Sequence, residues 1–577
     1  MKIIIAKTAG FCMGVRRAVE LALDASSRQQ QPIYTYGPLI HNPQVLGLFS
    51  ERGVTILKQI PEKGNGTVLV RAHGVPPETK QQLKRAGFNV IDATCPRVVK
   101  VQSIIKSHAR KGYASIIVGD QDHPEVISLQ GFAGPLAHVV GALEALQALP
   151  HFEQAIVVAQ TTQNQSFYRE VKTWVAAHHP HYKVFDTICD STEKRQEEVR
   201  QLSREVDAVI VVGGKNSGNT RRLAEIVGQT GKPVYHVETE AELDFDDLSR
   251  FDTIGITAGA STPTWIIKRI VGAIDQMLLS QKGGWRYAVF QAQRLMMLTN
   301  AYVAIGAGCL GYAAARLQGL SASFSALFVA MLYVMSMHTL NHLTGRAEDR
   351  YNDPDRERFY TQHKRVLTSV ALGAGTLGLV SAYQMGAASF WTLLAMSLLG
   401  LSYNVRLFPT GIFARLKQRR IRDLPGSKTV LIALAWGVVT AGLPALASPG
   451  GQWVCGLIAV AWASGIVFGR TAFFDILDMQ GDRIVGKETI PTLIGADRSL
   501  KLVKTILVVI TALLLVGGWG ECFSSLAFFL IFCPVLLWAI IAAYEREHLL
   551  SGLQLQFMVE SLFVLTGILT FIYSFMV

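Results

Sequence analysis

Close cysteine pairs are missing from this 577-residue chain: its seven cysteines form no Cys-x-x-Cys, which weakens a zinc reading. No G-x-x-x-x-G-K-[S/T] loop occurs, which argues against a P-loop nucleotide site. Charged residues are scarce, 17% against 50% hydrophobic, with a mean hydropathy of +0.29. That balance excludes a disordered chain and is too apolar for an ordinary soluble enzyme. The opening MKIIIAKTAGFCMGV has only a short apolar run and lacks the hydrophobic region of a secretory leader. The first half is therefore expected in the cytosol, with Cys12, Cys95 and Cys189 as reduced thiols and no disulfide framework.

Charge is unevenly spread along the chain. Residues 1–283 carry 32 Lys+Arg and 28 Asp+Glu, whereas 284–577 carry 23 and 15, mostly between long apolar runs. The excess of basic residues thus flanks membrane segments, and no nucleic-acid partner is expected. This pattern sets the expected organisation: an enzyme-like domain over 1–280, a linker over 281–293 and a membrane domain over 294–577.

Nine apolar runs of roughly membrane-spanning length are expected, at 295–318, 321–342, 366–384, 388–405, 428–447, 452–473, 502–520, 524–544 and 554–576. The loops alternate between basic sets, such as Arg356, Arg358, Lys364 and Arg365, and sets around Gly319, Gly386, Pro449 and Gly518 that hold no Lys or Arg. The positive-inside rule then puts the basic loops and the first half in the cytoplasm and the C-terminus outside, in a multi-pass inner-membrane protein. Cys309, Cys455, Cys522 and Cys533 follow no ligand spacing and read as small apolar fillers.

Carboxylates cluster on the basic side. Asp475, Asp478 and Asp482 fall at i, i+3 and i+7, a spacing that stacks like charges on one helix face unless a cation sits among them. Mg2+ carrying a diphosphate fits, with Arg470, Arg483 and Lys487 nearby. Residues 348–357 read equally well as a solvated mixed-sign loop. The run D-x-x-D-x-x-x-D with G-K-E-T-x-P after it, and Asn341 and Asp349 in the earlier loop, resemble the two acidic motifs of the UbiA superfamily of intramembrane prenyltransferases. That resemblance implies nine helices and a Mg2+-bound allylic diphosphate. The first motif departs from the family pattern, with His342 and Gly345 where aspartates are usual.

In the first half, short β-branched runs end in Gly or polar tips: KIIIA before GFCMGV, TVLVRA before HGVPP, NVIDA before TCP, SIIVG before DQDHPE, AIVVA before QTTQNQ, DAVIVVG before GKNSGN, TIGITA before GAST. Such runs alternating with helices predict parallel α/β sheets, with ligands beyond the strand carboxyl ends. Cys12, Cys95 and Cys189 are 83 and 94 residues apart, as though three similar α/β units each supplied one ligand. Thiolates favour an iron-sulfur cluster; three structural cysteines are the alternative. His41, His73 and His123 each adjoin a turn residue and, with Ser217, Gly218, Asn219 and Ser261, supply donors suited to a diphosphate. Glu125 is the candidate proton donor, or alternatively a helix-start carboxylate after Pro124.

GFCMGV, HNPQV, AHGV, DATCP, GDQDHPEV, AQTTQ, CDSTEKRQ, GGKNSGNTRRLAE and TAGAS, in that order, are similar to the signature of the LytB-type 4-hydroxy-3-methylbut-2-enyl diphosphate reductases. The resemblance implies one [4Fe-4S] cluster on Cys12, Cys95 and Cys189. It implies a diphosphate held by His41, His73, His123, Ser217, Asn219 and Ser261, and proton delivery by Glu125 with Thr161 and Gln160 beside it. Many members carry a Ser where Gly218 stands. Ferredoxin or flavodoxin is the implied electron donor. The expected whole is a bifunctional isoprenoid enzyme at the lipid bilayer acting on allylic diphosphates. Two alternatives stand beside it: an active reductase on an inactive membrane anchor, and a cluster-regulated transporter.

Overall fold

The computed structural model describes residues 2–28, 32–282, 284–320, 324–344, 349, 352–402, 426–448, 453–485, 487–546 and 552–576. The chain divides into two compact units, Met1–Leu278 and Leu279–Val577.

The first unit holds twelve strands: β1 (Lys2–Ile5), β2 (Ile33–Tyr36), β3 (Val54–Leu57), β4 (Thr67–Val70), β5 (Asn89–Asp92), β6 (Ala114–Val118), β7 (Ala137–Val140), β8 (Ala155–Ala159), β9 (Lys183–Val184), β10 (Ala208–Val212), β11 (Val234–Val237) and β12 (Thr253–Ala258). They form three four-stranded sheets, ordered β3-β2-β4-β5, β7-β6-β8-β9 and β11-β10-β12-β1, with every pairing parallel. The three orders are the same once β1, the first strand of the chain, is counted as the fourth strand of the last sheet. The inner strands β4, β6, β8 and β10 are buried along their whole length because helices cover both faces, so they read as unbroken apolar runs. Edge strands such as β9 are exposed.

The second unit is helical. Among the described residues seven helices are long and apolar enough to cross a membrane: Phe324–Thr344, Lys364–Met385, Ser427–Ala447, Trp453–Leu477, Ala496–Trp519, Leu526–Glu545 and Leu553–Met576. Tyr287–Leu298 and Ala301–Leu317, bent by 73°, make an eighth if taken as one broken span. The expected count of nine is not confirmed among the described residues, where the run at 388–405 is seen as the helix Ala387–Ser402 and its last three positions lie outside them. The basic residues Arg406, Arg415, Lys417, Arg419, Arg420 and Arg422 and the positions Gly345, Arg346, Glu348, Arg350 and Pro449 lie outside the described residues.

Helices in this unit approach closely where side chains are small. A Cβ on Gly567 would lie 2.7 Å from the Cβ of Cys309, and one on Gly437 would lie 2.8 Å from the Val460 carbonyl oxygen. A π-helical segment, Val438–Gly442, precedes Pro444, whose ring removes a backbone donor and crowds the turn before it. One cysteine reading is corrected: Cys455 and Cys522 form a disulfide across 67 residues and are not fillers. The start of helix Trp453–Leu477 and the turn after Trp519 meet only in the fold, which linear spacing does not reveal. Cys309 and Cys533 are free thiols.

Candidate functional site

The repeated strand order explains where the chemistry gathers in the first unit. The fourth strand of each sheet, β1, β5 or β9, leads to one cysteine: Cys12, Cys95 or Cys189. The first strand of each sheet in chain order, with β1 counted fourth, is β2, β6 or β10 and leads to His41, His123 or Ser217 with Asn219; the third, β4, β8 or β12, leads to His73, Thr161 or Ser261. All of these, with Gly218 and Glu125, line one cavity of about 90 Å3.

Each cysteine stands at the start of a helix: Cys12 before Met13–Arg28, Cys95 before Pro96–Ala109 and Cys189 before Asp190–Glu205. There the helix dipole and unpaired backbone N–H groups favour a thiolate. The Val15 N–H donates to Cys12 Sγ at 3.4 Å, and backbone N–H groups of Arg97 and Val98, and of Ser191 and Thr192, serve Cys95 and Cys189. Burial nonetheless pushes the Cys95 and Cys189 thiols up, and the neighbouring cysteines add to it. Three sulfurs converging on one cavity, each already hydrogen-bonded as an acceptor, fit a thiolate-bound cluster. Gly14 keeps the space open, since a Cβ there would lie 2.4 Å from Cys95 Sγ.

The histidine rings adjoin one another, with centroids 4.9 Å apart for His41 and His73 and 5.3 Å for His73 and His123. Burial and nearby arginines, with repulsion from neighbouring histidines at His73 and His123, hold all three below the ordinary imidazole range, His73 well below that range and His123 at about 4. His73 Nδ1 and Asn219 Nδ2 are buried without a hydrogen-bond partner. Ser261 Oγ donates to the His41 carbonyl oxygen at 3.0 Å, and Ser217 caps helix Gly218–Gly228. Orphaned donors, a helix N-terminus and three rings that gain protons beside an anion fit a diphosphate.

Glu125 is 1% exposed, in the first turn of helix Pro124–Ala133, whose cap is His123. The Thr161 N–H donates to Glu125 Oε1 at 2.7 Å and the Thr161 hydroxyl to Oε2 at 2.8 Å. Burial lifts the carboxyl to about 7 against those hydrogen bonds. Gln160 turns aside, accepting from the Asp120 N–H and donating to Thr162. Sequence reasoning missed Arg222, which pairs with Asp120 at 2.8 Å, and Arg195, which donates to the Ala258 and Gly10 carbonyls behind the cysteines. Both stand inside motifs already quoted, but nothing local marks them as braces.

A cavity of about 240 Å3 in the second unit is lined by Asn341, Asp349, Asp475, Asp478, Lys428 and Lys487, among others. Asp475 accepts from Thr429 Oγ1 and pairs with Lys428 at 3.3 Å. Asp482 accepts from Asn352 Nδ2 at 3.0 Å, while its Oδ2 is buried without a partner. Burial raises the Asp482 carboxyl, and Asp475 and Asp478 add to the rise against Lys428 and Lys487. Asp482 does not line this cavity; its orphaned oxygen, in the field of Asp475 and Asp478, suits a divalent cation. In the other acidic segment His342 Nδ1 meets Asp349 at 2.9 Å, and Arg356 lies 3.3 Å from His342 Nε2. Burial opposes ionisation of Asp349, yet His342 and then Arg356 hold its carboxyl below the ordinary range. Arg470 lines the cavity and also pairs with Glu560 of helix Leu553–Met576, with its Nε 2.9 Å from Oε1. A guanidinium inside a membrane helix needs such a counter-charge, and the lone acid in the run at 554–576 was its signal.

Residues 3–275 match the family model described as LytB protein, and residues 301–551 match the UbiA prenyltransferase family. A 4-hydroxy-3-methylbut-2-enyl diphosphate reductase of Pelobacter propionicus is 42% identical over 277 residues, 48% of this chain and 99% of that one. The protein of the same name from Aquifex aeolicus is 44% identical over 283 residues, 48% and 98%. A solved (E)-4-hydroxy-3-methyl-but-2-enyl diphosphate reductase aligns at 43% identity and a TM-score of 0.38, covering 48% of this chain and 100% of that one.

Proposed function

Through its first unit the chain belongs to the LytB family of 4-hydroxy-3-methylbut-2-enyl diphosphate reductases, and we propose that it performs that reduction and that its second unit is a Mg2+-dependent prenyltransferase. The reduction breaks the allylic C–O bond of the substrate, consumes two electrons and two protons, and yields water with isopentenyl or dimethylallyl diphosphate. The observation that carries it is the single cavity into which three cysteines, three histidines and a neutral-range carboxyl converge.

Cys12, Cys95 and Cys189 would hold a [4Fe-4S] cluster, which when bound supplies the electrons and a Lewis-acidic iron. His41, His73, His123, Ser217, Asn219, Ser261 and the Gly218 N–H would bind the diphosphate within the same cavity. Glu125, protonated below about pH 7, donates a proton toward the departing hydroxyl, and Thr161 fixes its carboxyl plane. Burial excludes bulk water from that carboxyl. Electrons arrive from an external ferredoxin or flavodoxin.

In the second unit, Asp475, Asp478 and Asp482 would hold Mg2+ for an allylic diphosphate, with Asp475, Asp478, Asn341 and Lys487 lining the cavity. On the Asp349 side, His342 and Arg356 already partner the carboxylate segment. The positive-inside rule applied to the basic loops supports a multi-pass inner-membrane protein with those loops and the first unit on the cytoplasmic side, and the Cys455–Cys522 disulfide at the Lys- and Arg-free end agrees with an oxidising outer side. Anaerobic turnover of 4-hydroxy-3-methylbut-2-enyl diphosphate by the full chain with reduced viologen tests the first activity. Asp478→Ala tests the second: altered lipid products support prenyl transfer, and unchanged products favour an inactive anchor.

A further inference from the structure

A second group of histidines lies at the other end of the middle sheet. His151 is in the segment entering β8, and His179 and His181 are in the segment entering β9. All three therefore stand at the amino ends of parallel strands whose carboxyl ends lead to Thr161 and Cys189. The five-residue strand β8 separates the two ends by roughly 16 Å at the usual rise per residue.

One ring nitrogen from each of the three comes within 4.8 Å of the others. The centroids of His151 lie 5.4 Å from those of both His179 and His181. The scaffold beneath them is stiff. His179 stacks on Tyr182 with centroids 4.6 Å apart and planes 6° from parallel, and the buried Tyr182 hydroxyl accepts from the Phe152 N–H at 2.9 Å. That bond fastens the segment carrying His151 to the one carrying His179 and His181. His181 Nε2 lies 3.2 Å from the Phe152 carbonyl oxygen, which only accepts, so Nε2 carries the proton and Nδ1 keeps its lone pair. A metal-bound imidazole is commonly oriented by this kind of backbone bond. His179 Nδ1 is buried and has no hydrogen-bond partner.

We propose that His151, His179 and His181 form a binding site for one divalent transition ion of the Zn2+ type, separate from the cysteine-lined cavity. Three imidazoles select Zn2+, Ni2+ or Cu2+ over Mg2+ and Ca2+. Three ligands leave a coordination position for water, so the site is open. The ion would clamp the lead-in of β8 to that of β9, the exposed two-residue edge strand that runs on to Cys189.

The test is Zn2+ titration of the full chain, purified without a polyhistidine tag, against a chromophoric chelator, with the bound metal counted. Wild type is expected to hold one Zn2+ that His151→Ala and His181→Ala each weaken tenfold or more. That zinc is expected to persist in Cys12→Ser/Cys95→Ser/Cys189→Ser, which removes binding at the sulfurs. Both histidines are exposed, so neither replacement disturbs a core. Equal zinc affinity in the histidine variants, or zinc lost with the cysteines alone, would overturn the proposal.

Discussion

Thr161 holds both carboxyl oxygens of Glu125, one through its backbone N–H and one through its hydroxyl. The two residues are 36 positions apart and meet because β6 and β8 are adjacent strands whose carboxyl ends open on the same cavity. With Glu125 near 7, the proton donor is charged as pH rises through neutrality. Turnover is therefore expected to fall on that limb. Thr161→Val removes the hydroxyl bond to Oε2 while the backbone N–H stays on Oε1, and this loosened carboxyl is expected to lower kcat about tenfold with little change in KM, read from steady-state rates.

Gly14 and Gly218 predict opposite outcomes. A Cβ at Gly14 collides with Cys95 Sγ, so Gly14→Ala is expected to lose the cluster's visible absorbance while the chain still folds. A Cβ at Gly218 meets only the His123 ring at 3.6 Å, an ordinary contact, so Gly218→Ser is expected to keep activity within about threefold.

The three site histidines are neutral in the free cavity at pH 7 and gain protons when an anion sits among them. Diphosphate binding is thus expected to take up protons and to weaken as pH rises. Calorimetry of inorganic diphosphate in buffers of different ionisation enthalpy reads this directly; binding without proton uptake contradicts it.

Arg470 and Glu560 are buried together, so removing one strands the other. Glu560→Leu is expected to destabilise the second unit by about 3–5 kcal/mol, and Arg470→Met with Glu560→Leu by less, measured by thermal unfolding in detergent. Equal losses in both variants would show that the charge pairing is not what matters.

The threefold plan was legible in the chain as cysteines 83 and 94 residues apart, because each sheet spends a similar length before its fourth strand. That β1 completes the last sheet was not legible, since strand order is a non-local property. The spacing of Asp475, Asp478 and Asp482 was legible, but not that helix Trp453–Leu477 ends before Asp478 and Asp482 falls in the next helix, Met479–Val485, nor that Thr429, Lys428 and Asn352 arrive from other segments. The Cys455–Cys522 pairing likewise depends on two helix ends meeting. The expected span at 388–405 is described only as far as Ser402, as the helix Ala387–Ser402.

The most direct measurement is anaerobic turnover of 4-hydroxy-3-methylbut-2-enyl diphosphate with reduced viologen, comparing the full-length wild type with Glu125→Gln at equal cluster content. The account predicts isopentenyl and dimethylallyl diphosphate from wild type and a loss of at least about a hundredfold in Glu125→Gln. Cluster-loaded wild type that leaves the substrate unchanged would contradict it.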